Sequence, residues 1–382
     1  MSERKAATIW HVGGWNRNYG DLAIQAAMEH RLTAAAARPL TFVGVDNQRT
    51  WFHPDLIDKL NDEADLLLLG GGGFIFHRPE DNSHSGWQFN IRLEDIARIQ
   101  VPIVVYAIGY NKFPFDDRGF LPVLNDHLKA VHEHAALFSV RNNGTREELA
   151  RRGLDVTDIE VIPDPGMFTP KRLPTLPGLT EGELAIGLNW AGDRPQFRWG
   201  GNNADAREGR ALETIAQALR QVLDARPGKV LMIPHIVEID EAALPVLRTH
   251  LGDDLLNLRD VYPGMYPPAT VQASFLAGAY ARMDVVLGMR GHSNIIPFGM
   301  GTPCIAVGHH PKNRYFLTEI GRPDLVLDQN AETGGYDVGQ LVELIGGVID
   351  DADLRPALRR RFDALDAIAS VFDRRLLALI DA

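Results

Sequence analysis

The fold is decided by a proline-rich stretch near the middle of the chain, Pro163-Asp-Pro-Gly-Met-Phe-Thr-Pro-Lys-Arg-Leu-Pro-Thr-Leu-Pro-Gly178. Proline stops both helices and strand ladders, so this stretch interrupts the regular pattern on either side of it. Before and after it, short apolar runs alternate with amphipathic segments, which is typical of parallel sheets covered by helices. We therefore predict a domain boundary here, between an N-terminal domain over residues 1–170 and a second domain over residues 180–350.

Each half of the chain contains about six strand signals. In the first half they are Thr8–Val12, Leu40–Val45, Asp65–Leu69, Ile103–Ile108, Leu137–Val140 and Glu160–Ile162. In the second half they are Leu184–Leu188, Val230–Ile233, Leu255–Leu258, Val285–Gly288, Cys304–Val307 and Leu325–Leu327. Two halves of this kind predict an α/β fold of two Rossmann-like domains that face each other across a cleft.

The end of the chain, residues 351–382, is predicted to form one amphipathic helix. Its apolar side chains recur at helical spacing, at Leu354, Leu358, Leu365, Phe372, Leu376 and Leu379. Arginine-rich amphipathic helices can also bind membrane surfaces. Here aspartates offset the arginines, which favours packing on a neighbouring domain.

The overall charge excludes one class of partner. The formal net charge is −11, and an acidic surface repels phosphate backbones, so no nucleic-acid partner is expected. No apolar run reaches the roughly 18–20 residues that span a bilayer, and the N-terminus lacks the apolar region of a signal peptide. The single cysteine, Cys304, allows no internal disulfide. We predict a cytoplasmic protein without a transmembrane segment, for which peripheral membrane contact remains open.

The first strand is followed by Gly13-Gly-Trp-Asn-Arg-Asn-Tyr-Gly-Asp21, which leads into a helix. Glycines let the backbone approach a ligand, and Asn18 or Asp21 can cap the helix. An ordinary glycine turn with a capping residue is the alternative. The segment does not match the Gly-x-Gly-x-x-Gly pattern, so a dinucleotide cofactor is not indicated.

The third strand is followed by four consecutive glycines, Gly70 to Gly73. Such a run is costly in backbone entropy, so Gly71 and Gly72 are predicted to contact a phosphate or a sugar through their backbone. The Gly-Lys-Ser/Thr of a P-loop is absent. The next loop carries aromatic, amide and imidazole groups that suit a sugar, namely His84, Trp87, Gln88 and Asn90.

Cationic side chains follow strands of both halves. Arg141 comes at the end of one strand, where it is either an anion clamp beside a helix N-terminus or a surface arginine paired with a carboxylate. Arg290 and His292 straddle a glycine, and a helix beginning at Ser293 or the next residue would direct its N–H groups to the same point. Lys312 is a candidate second phosphate contact. His292 can also donate a proton, because imidazole titrates near neutrality.

No metal and no cofactor are predicted. The chain contains no His-Glu-x-x-His motif and no cysteine cluster. Asp351-Ala-Asp353 is similar to the Asp-x-Asp motif of metal-dependent glycosyltransferases. Because it directly precedes the terminal helix rather than following a strand, helix capping explains it better.

In their order and spacing, these segments resemble the polysaccharide pyruvyl transferase family over roughly residues 8–325. The segments that carry the resemblance are Asn18-Tyr-Gly-Asp-Leu-Ala-Ile24, the glycine run with Phe74-Ile-Phe76, Tyr106-Ala-Ile-Gly109, Ser139-Val-Arg141, Ile162-Pro-Asp-Pro165, Gly288-Met-Arg-Gly-His292 and Gly301-Thr-Pro-Cys-Ile305. The family has Arg-Asp with a following serine, where this chain has Arg141-Asn142 and Thr145. The resemblance implies a GT-B-like fold in which the C-terminal helix crosses back to the first domain.

The resemblance also implies an activity. The donor would be phosphoenolpyruvate, and the product a cyclic pyruvate ketal on a glycan, as in exopolysaccharide biosynthesis. Arg141, Arg290, His292 and Lys312 would hold the phosphate and carboxylate of the donor. We expect His292 to protonate the donor and Asp21 to accept the proton of the sugar hydroxyl.

Two other functions stay open at this point. One is a GT-B glycosyltransferase that uses a nucleotide sugar, and the other is a non-catalytic protein that binds an anionic sugar. The acceptor is equally open among free, nucleotide-linked and lipid-linked saccharides.

Overall fold

The computed structural model describes residues 6–76, 82–200, 203–265, 268–308, 310–330 and 333–381. Within these ranges the strands are β1 (Ala7–Gly13), β2 (Leu40–Asp46), β3 (Trp51–Phe52), β4 (Leu66–Ile75), β5 (Asn90–Ile91), β6 (Ile103–Tyr110), β7 (Ala135–Val140), β8 (Glu160–Val161), β9 (Leu184–Asn189), β10 (Gly228–Met232), β11 (Leu255–Asn257), β12 (Val285–Gly288) and β13 (Cys304–Ala306). The α-helices are α1 (Tyr19–Ala35), α2 (Pro54–Glu63), α3 (Leu124–His134), α4 (Asn143–Arg151), α5 (Pro195–Trp199), α6 (Ala204–Ala225), α7 (Val237–Asp240), α8 (Leu244–Leu251), α9 (Leu258–Val261), α10 (Thr270–Tyr280), α11 (His292–Gly299), α12 (Pro311–Glu319), α13 (Val338–Asp350) and α14 (Leu354–Asp381).

The first half of the chain forms a six-stranded parallel sheet in the order β2-β1-β4-β6-β7-β8. The first four residues of β4 are all leucines with no exposed surface. Strands of a parallel sheet have both faces covered, which explains this continuous apolar run. The winding direction of the sheet reverses between β1 and β4, so this is its topological switch point.

The second half forms a five-stranded parallel sheet in the order β11-β10-β9-β12-β13. Its winding direction reverses between β9 and β12, which gives a second switch point. Both strand orders are those of doubly wound sheets, so the predicted α/β fold class with two Rossmann-like units is confirmed.

Two details differ from the sequence-based expectations. The predicted strand Leu325–Leu327 is a single bridge between Ala306 and Val326, because a 3-10 turn that starts at Pro323 occupies its beginning. The glycine run is not a loop after a strand, since β4 continues through it. Gly70 has a φ of 140°, and a Cβ there would lie 2.0 Å from the carbonyl oxygen of Tyr106, so only glycine fits.

Helix α1 belongs to the first half but packs on the second. Its side chains Tyr19, Leu22 and Ala23 lie in the same apolar core as the second sheet. At the other end of the chain, α14 contacts both halves. Leu358 belongs to the core of the second half, whereas Leu376 belongs to a core of the first half.

The contact of α14 with the first half includes a buried polar network. Asp373 accepts a hydrogen bond from the hydroxyl of Tyr106 at 2.7 Å and one from Nε of Arg31 at 3.0 Å. Because these partners lie more than 260 residues apart along the chain, the network ties the C-terminal helix to the first sheet. No helix among the described residues is both long and apolar enough to cross a membrane.

Gly299, at the end of α11, marks a close approach between this helix and the proline-rich stretch. A Cβ at Gly299 would lie 1.8 Å from the backbone carbonyl oxygen of Met167. We therefore expect Gly299→Ala to lower the free energy of unfolding by about 1–3 kcal/mol, because backbone must move to accommodate the methyl group. Chemical denaturation measures this change.

The matched control is Gly347→Ala in the interior of α13, where a Cβ would have no heavy atom within 4 Å. This variant should be more stable by about 0.5–1 kcal/mol, since alanine loses less backbone entropy in a helix than glycine does. Equal stability of the two variants would contradict the packing described for Gly299.

Candidate active site

The two switch points open onto one cavity of about 280 Å³ between the two halves. Its walls come from the segments that follow β1 and β4 in the first sheet and β9 and β12 in the second. Ligands of doubly wound proteins bind at the carboxyl ends of strands near a switch point. The cavity combines two such positions, so it is the candidate active site.

Arg141 follows β7 and is only 4% exposed. Its Nη1 donates a hydrogen bond to Oδ2 of Asp164 at 3.0 Å. A Cβ at Gly109 would lie 2.0 Å from Nε of Arg141, so glycine at this position lets the guanidinium lie flat against β6. Asn142 then caps α4 by accepting hydrogen bonds from the N–H and the hydroxyl of Thr145, both at 2.8 Å.

His292 is the first residue of α11 and lies between the two halves. A Cβ at Gly20 would be 2.8 Å from its Nδ1, and a Cβ at Gly166 would be 3.2 Å from its Cδ2. The ring therefore packs directly on the first turn of α1. Its Nε2 lies 3.6 Å from Oδ2 of Asp164 and has no hydrogen-bond partner.

The carboxyl group of Asp164 lies close to both Arg141 and His292. Burial by itself would raise the pKa of this carboxyl, but His292 and Arg141 outweigh burial and hold the pKa well below its usual range. Asp164 is therefore a carboxylate at neutral pH. It contacts Arg141, which follows strand β7 of the first sheet, and His292, which follows strand β12 of the second sheet.

Arg290 follows β12 and is held by two carboxylates. Its Nε and Nη2 donate to the carboxylate of Asp240 at 2.5–3.2 Å, and Nη2 also lies 2.9 Å from Oδ1 of Asp193. Burial disfavours the charge on the guanidinium, but the two carboxylates outweigh burial and raise the pKa of Arg290. Asp193 additionally binds Arg198 at 3.0 Å. The position and the charge of Arg290 are thus fixed before any ligand binds.

Lys312, in the first turn of α12, is the next cation along this wall. Its Nζ donates a hydrogen bond to Oδ1 of Asn111 at 3.1 Å, which joins the two halves. Burial lowers the pKa of Lys312 well below 10.5, and the nearby guanidinium of Arg141 lowers it further. An anion in the cavity would have the opposite effect on this pKa.

Asp21, in the first turn of α1, faces this group of cations. Burial raises the pKa of its carboxyl, although His292 and Lys312 both act to lower it. Asn16 donates a weak hydrogen bond to it at 3.4 Å, and Asn18 caps the helix. A half-buried carboxyl group with a raised pKa near a histidine is suited to accept or donate a proton.

Of the nine residues proposed from the sequence, the cavity is lined by Asn18, Asp21, Gly71, Arg141, Arg290, His292 and Lys312. Gly72 and Ser293 do not line it. Helix α11 begins one residue earlier than expected, so the hydroxyl of Ser293 is buried in the first turn and donates to the carbonyl oxygen of Arg290 at 2.7 Å.

The expected sugar-binding loop contributes one side chain to the cavity rather than four. Trp87 has no exposed surface, and its Nε1 donates to Nδ1 of His127 at 2.7 Å within the core of the first half. Asn90 accepts a hydrogen bond from the N–H of His84. Gln88 alone among the four lines the cavity.

The sequence-based list of site residues lacked the three carboxylates that hold the cations, Asp164, Asp193 and Asp240. Asp193 follows β9, a strand end where ligand-binding residues are expected, so its position was a usable signal. Asp164 lies in Ile162-Pro-Asp-Pro165, one of the segments that carry the family resemblance, so it was a usable signal as well. Asp240 lies in a short helix, where no local pattern marks it. Among the described residues, no three His, Cys, Asp or Glu side chains are grouped to hold a metal ion.

Two doubly wound sheets with a ligand cavity between them define a GT-B-type protein, and solved structures share this fold. UDP-GlcNAc 2-epimerase from Neisseria meningitidis, bound to UDP-GlcNAc, is 9% identical with a TM-score of 0.59 over 98% of this chain and 100% of that one. S. aureus MnaA with UDP is 12% identical with a TM-score of 0.55 over 92% and 90%. The epimerase from Methanocaldococcus jannaschii is 10% identical with a TM-score of 0.53 over 91% and 94%. At these identities the similarity shows the fold alone.

The family is shown by sequence. A family model described as polysaccharide pyruvyl transferase matches residues 18–311, which include most of the lining of the cavity. Of the lining residues, Gly14, Asn16 and Arg17 precede the matched range and Lys312 follows it. The chain belongs to the polysaccharide pyruvyl transferase family. No curated protein matches it significantly in sequence.

Proposed function

We propose that the protein transfers the pyruvyl group of phosphoenolpyruvate to a saccharide, forms a cyclic ketal and releases phosphate. The observation that carries this proposal is the convergence of Arg141, Arg290, Lys312 and His292 on one cavity from both halves of the chain. Phosphoenolpyruvate carries a phosphate and a carboxylate, and separate fixed cations suit two anionic groups on one small molecule.

In this reaction His292, in its protonated form, donates a proton to the methylene carbon of the donor. The methylene becomes a methyl group, and positive charge develops at the adjacent carbon. A sugar hydroxyl adds to that carbon and loses its proton to Asp21. The carbon–oxygen bond to phosphate breaks, and a second hydroxyl of the same sugar adds and closes the ring. The two sugar hydroxyls release two protons in total. One of them replaces the proton that His292 gave to the methylene carbon, and the other protonates the released phosphate.

The cationic wall supports the departure of phosphate. Arg290 is held by carboxylates on one side, so it needs no reorientation as negative charge develops on the leaving group. Fixed charges of this kind stabilise a transition state without reorganisation. Oδ2 of Asp164 lies 3.6 Å from Nε2 of His292, which places a carboxylate beside the imidazole ring.

To test this proposal, the protein is incubated with phosphoenolpyruvate and a panel of saccharides. Released phosphate is then measured, and the saccharides are analysed by mass spectrometry. Release of phosphate together with a saccharide that gains one pyruvate ketal supports the proposal. Release of a nucleotide from a nucleotide sugar would instead indicate a glycosyltransferase. Tight binding of phosphoenolpyruvate without turnover across the panel would indicate a non-catalytic binding protein.

The lowered pKa of Lys312 leads to a prediction about donor binding. The folded protein holds this amine well below its ordinary pKa of 10.5, so the empty site disfavours the ammonium form. An adjacent phosphate or carboxylate favours the ammonium form and raises the pKa. We therefore expect the protein to take up protons when phosphoenolpyruvate binds, at a pH between the pKa of Lys312 in the empty site and its pKa in the complex. Calorimetry in buffers of different ionisation enthalpy measures this uptake.

Lys312→Met should remove most of the proton uptake, whereas Asp21→Asn should remove less of it. Both variants keep Arg141 and Arg290, so weakened donor binding should remain measurable. Binding of phosphoenolpyruvate to the unmodified protein without any net proton uptake would contradict this role of Lys312.

A further inference from the structure

The walls of the cavity differ in chemical character. Among the described residues, every carboxamide side chain that lines it belongs to the first half, namely Asn16, Asn18, Asn47, Gln48, Gln88 and Asn111. The second half contributes arginine, lysine, histidine, aspartate, isoleucine and glycine instead. The first half therefore offers neutral donors and acceptors beside its charged residues Arg17, Asp21 and Arg141, whereas the second half offers no carboxamide among the described residues.

Several of these amides are already used within the protein. Asn18 accepts a hydrogen bond from the N–H of Gly20 at 2.9 Å and caps α1. Asn16 accepts one from the N–H of Asn18 at 2.8 Å. Asn111 accepts one from Lys312. These three side chains position other groups of the site.

Gln88 and Asn47 are different. Gln88 is 2% exposed, and neither its Nε2 nor its Oε1 has a hydrogen-bond partner in the part of the chain that the structure describes. Asn47 is 8% exposed, and its Oδ1 has none. Buried amide atoms without partners are unfavourable and rare in folded proteins. Their presence in the wall of a cavity indicates groups that a ligand completes.

The backbone at both positions is anchored to the sheet. The N–H of Gln88 donates to the carbonyl oxygen of Phe74 in β4 at 2.9 Å, and the N–H of Asn47 donates to that of Gly13 in β1 at 2.9 Å. Trp87 and Phe89, on either side of Gln88, have no exposed surface. Gln88 is therefore held at the cavity wall by its neighbours, rather than by contacts of its own amide.

We propose that Gln88 and Asn47 bind the hydroxyl groups of an uncharged hexopyranose ring, the acceptor of the reaction. The proposal rests on the proposed function only in taking the acceptor to be a saccharide. A hydroxyl group both donates and accepts hydrogen bonds, so it can satisfy Nε2 and Oε1 of Gln88 and Oδ1 of Asn47. In a uronic acid the hydroxyl at C6 is replaced by a carboxylate, which only accepts and cannot donate to either amide oxygen.

Thermal shifts with methyl glycosides test this without any turnover. The probes are the methyl pyranosides of galactose, glucose and mannose, with methyl glucuronide as the charged analogue, each at millimolar concentrations. We expect at least one neutral glycoside to raise the melting temperature of the unmodified protein, and methyl glucuronide not to raise it. In Gln88→Met, which is close in volume but lacks the amide, this shift should be lost.

Gln25→Met is the matched control. Gln25 has no exposed surface, and both atoms of its amide lack partners, but it packs against Gly13 and does not line the cavity. This variant should keep the glycoside shift. Because each variant removes an unsatisfied buried amide, neither should melt below the unmodified protein in the absence of ligand.

In turnover with an accepted saccharide, Gln88→Met should raise KM for the saccharide at least tenfold and leave KM for phosphoenolpyruvate within about twofold. A glycoside shift that persists in Gln88→Met, an equal shift with methyl glucuronide, or no shift with any neutral glycoside would each overturn the inference. Glycoside binding that depends on Gln88 without phosphate release from phosphoenolpyruvate would refute the proposed function and leave this inference standing.

Discussion

Replacing His292 with asparagine is expected to lower kcat for ketal formation by about 10²–10⁴-fold, the usual contribution of a general acid. The proposed reaction requires a proton at the methylene carbon before a hydroxyl can add. Asparagine retains a polar group against α1 but cannot supply that proton. Phosphate release at saturating phosphoenolpyruvate measures the effect. KM for the donor should change much less, because Arg141, Arg290 and Lys312 remain in place.

His134→Ala is the control, since His134 is exposed on α3 and hydrogen bonds only to the carbonyl oxygen of Ala130. It should leave kcat unchanged. A His292→Asn variant that keeps turnover within a factor of three of the unmodified protein would exclude His292 as the acid. Asp21 would then be the next candidate, because burial raises the pKa of its carboxyl.

Replacing Arg290 with methionine is expected to lower both activity and stability. Asp240 has no exposed surface and would be left buried without its main partner. Loss of one member of a buried ion pair costs about 3–5 kcal/mol of unfolding free energy. The loss of a fixed cation beside the leaving phosphate should also reduce kcat/KM by about 10²–10³-fold. Urea denaturation and phosphate release measure the two effects separately.

A second substitution separates the two roles of Arg290. In Arg290→Met/Asp240→Asn the buried negative charge is gone, so a large part of the lost stability should return while activity stays low. Arg226→Met is the control on the surface, where Arg226 pairs with Asp350 at 2.6 Å with both side chains exposed, and it should change neither quantity much. Recovery of activity in the double variant would show that Arg290 acts only as a structural partner of Asp240.

Much of the site could be predicted from short segments. Arg290 and His292 were found because a glycine separates them directly after an apolar strand, and both features are local. Arg141 was found in the same way at the end of β7. The alternation of apolar and amphipathic segments likewise predicted both sheets, since that pattern reflects burial of each strand on two faces.

Other features could not be predicted from short segments, because they depend on contacts distant in sequence. Lys312 reaches Asn111 across 201 residues, and Arg290 reaches Asp240 across 50. Ser293 is predicted to lie in the site because α11 is expected to start at Ser293 or the next residue. The helix starts one residue earlier, at His292, and the hydroxyl of Ser293 therefore points into the protein interior. The sequence predicts Trp87 as part of a sugar-binding loop, but its ring is buried in the core of the first half.

The sequence alone determined the two α/β halves and the positions of the cations in the chain, because strand burial and glycine act through neighbouring residues. Only the tertiary structure decided which carboxylate holds each cation and which amides remain without a partner. Hydrogen bonds in the cavity join segments from different sheets, and they form only when the two halves come together. The same packing leaves Gln88 and Asn47 unsatisfied, so the wall proposed to bind the acceptor becomes visible only in the folded protein.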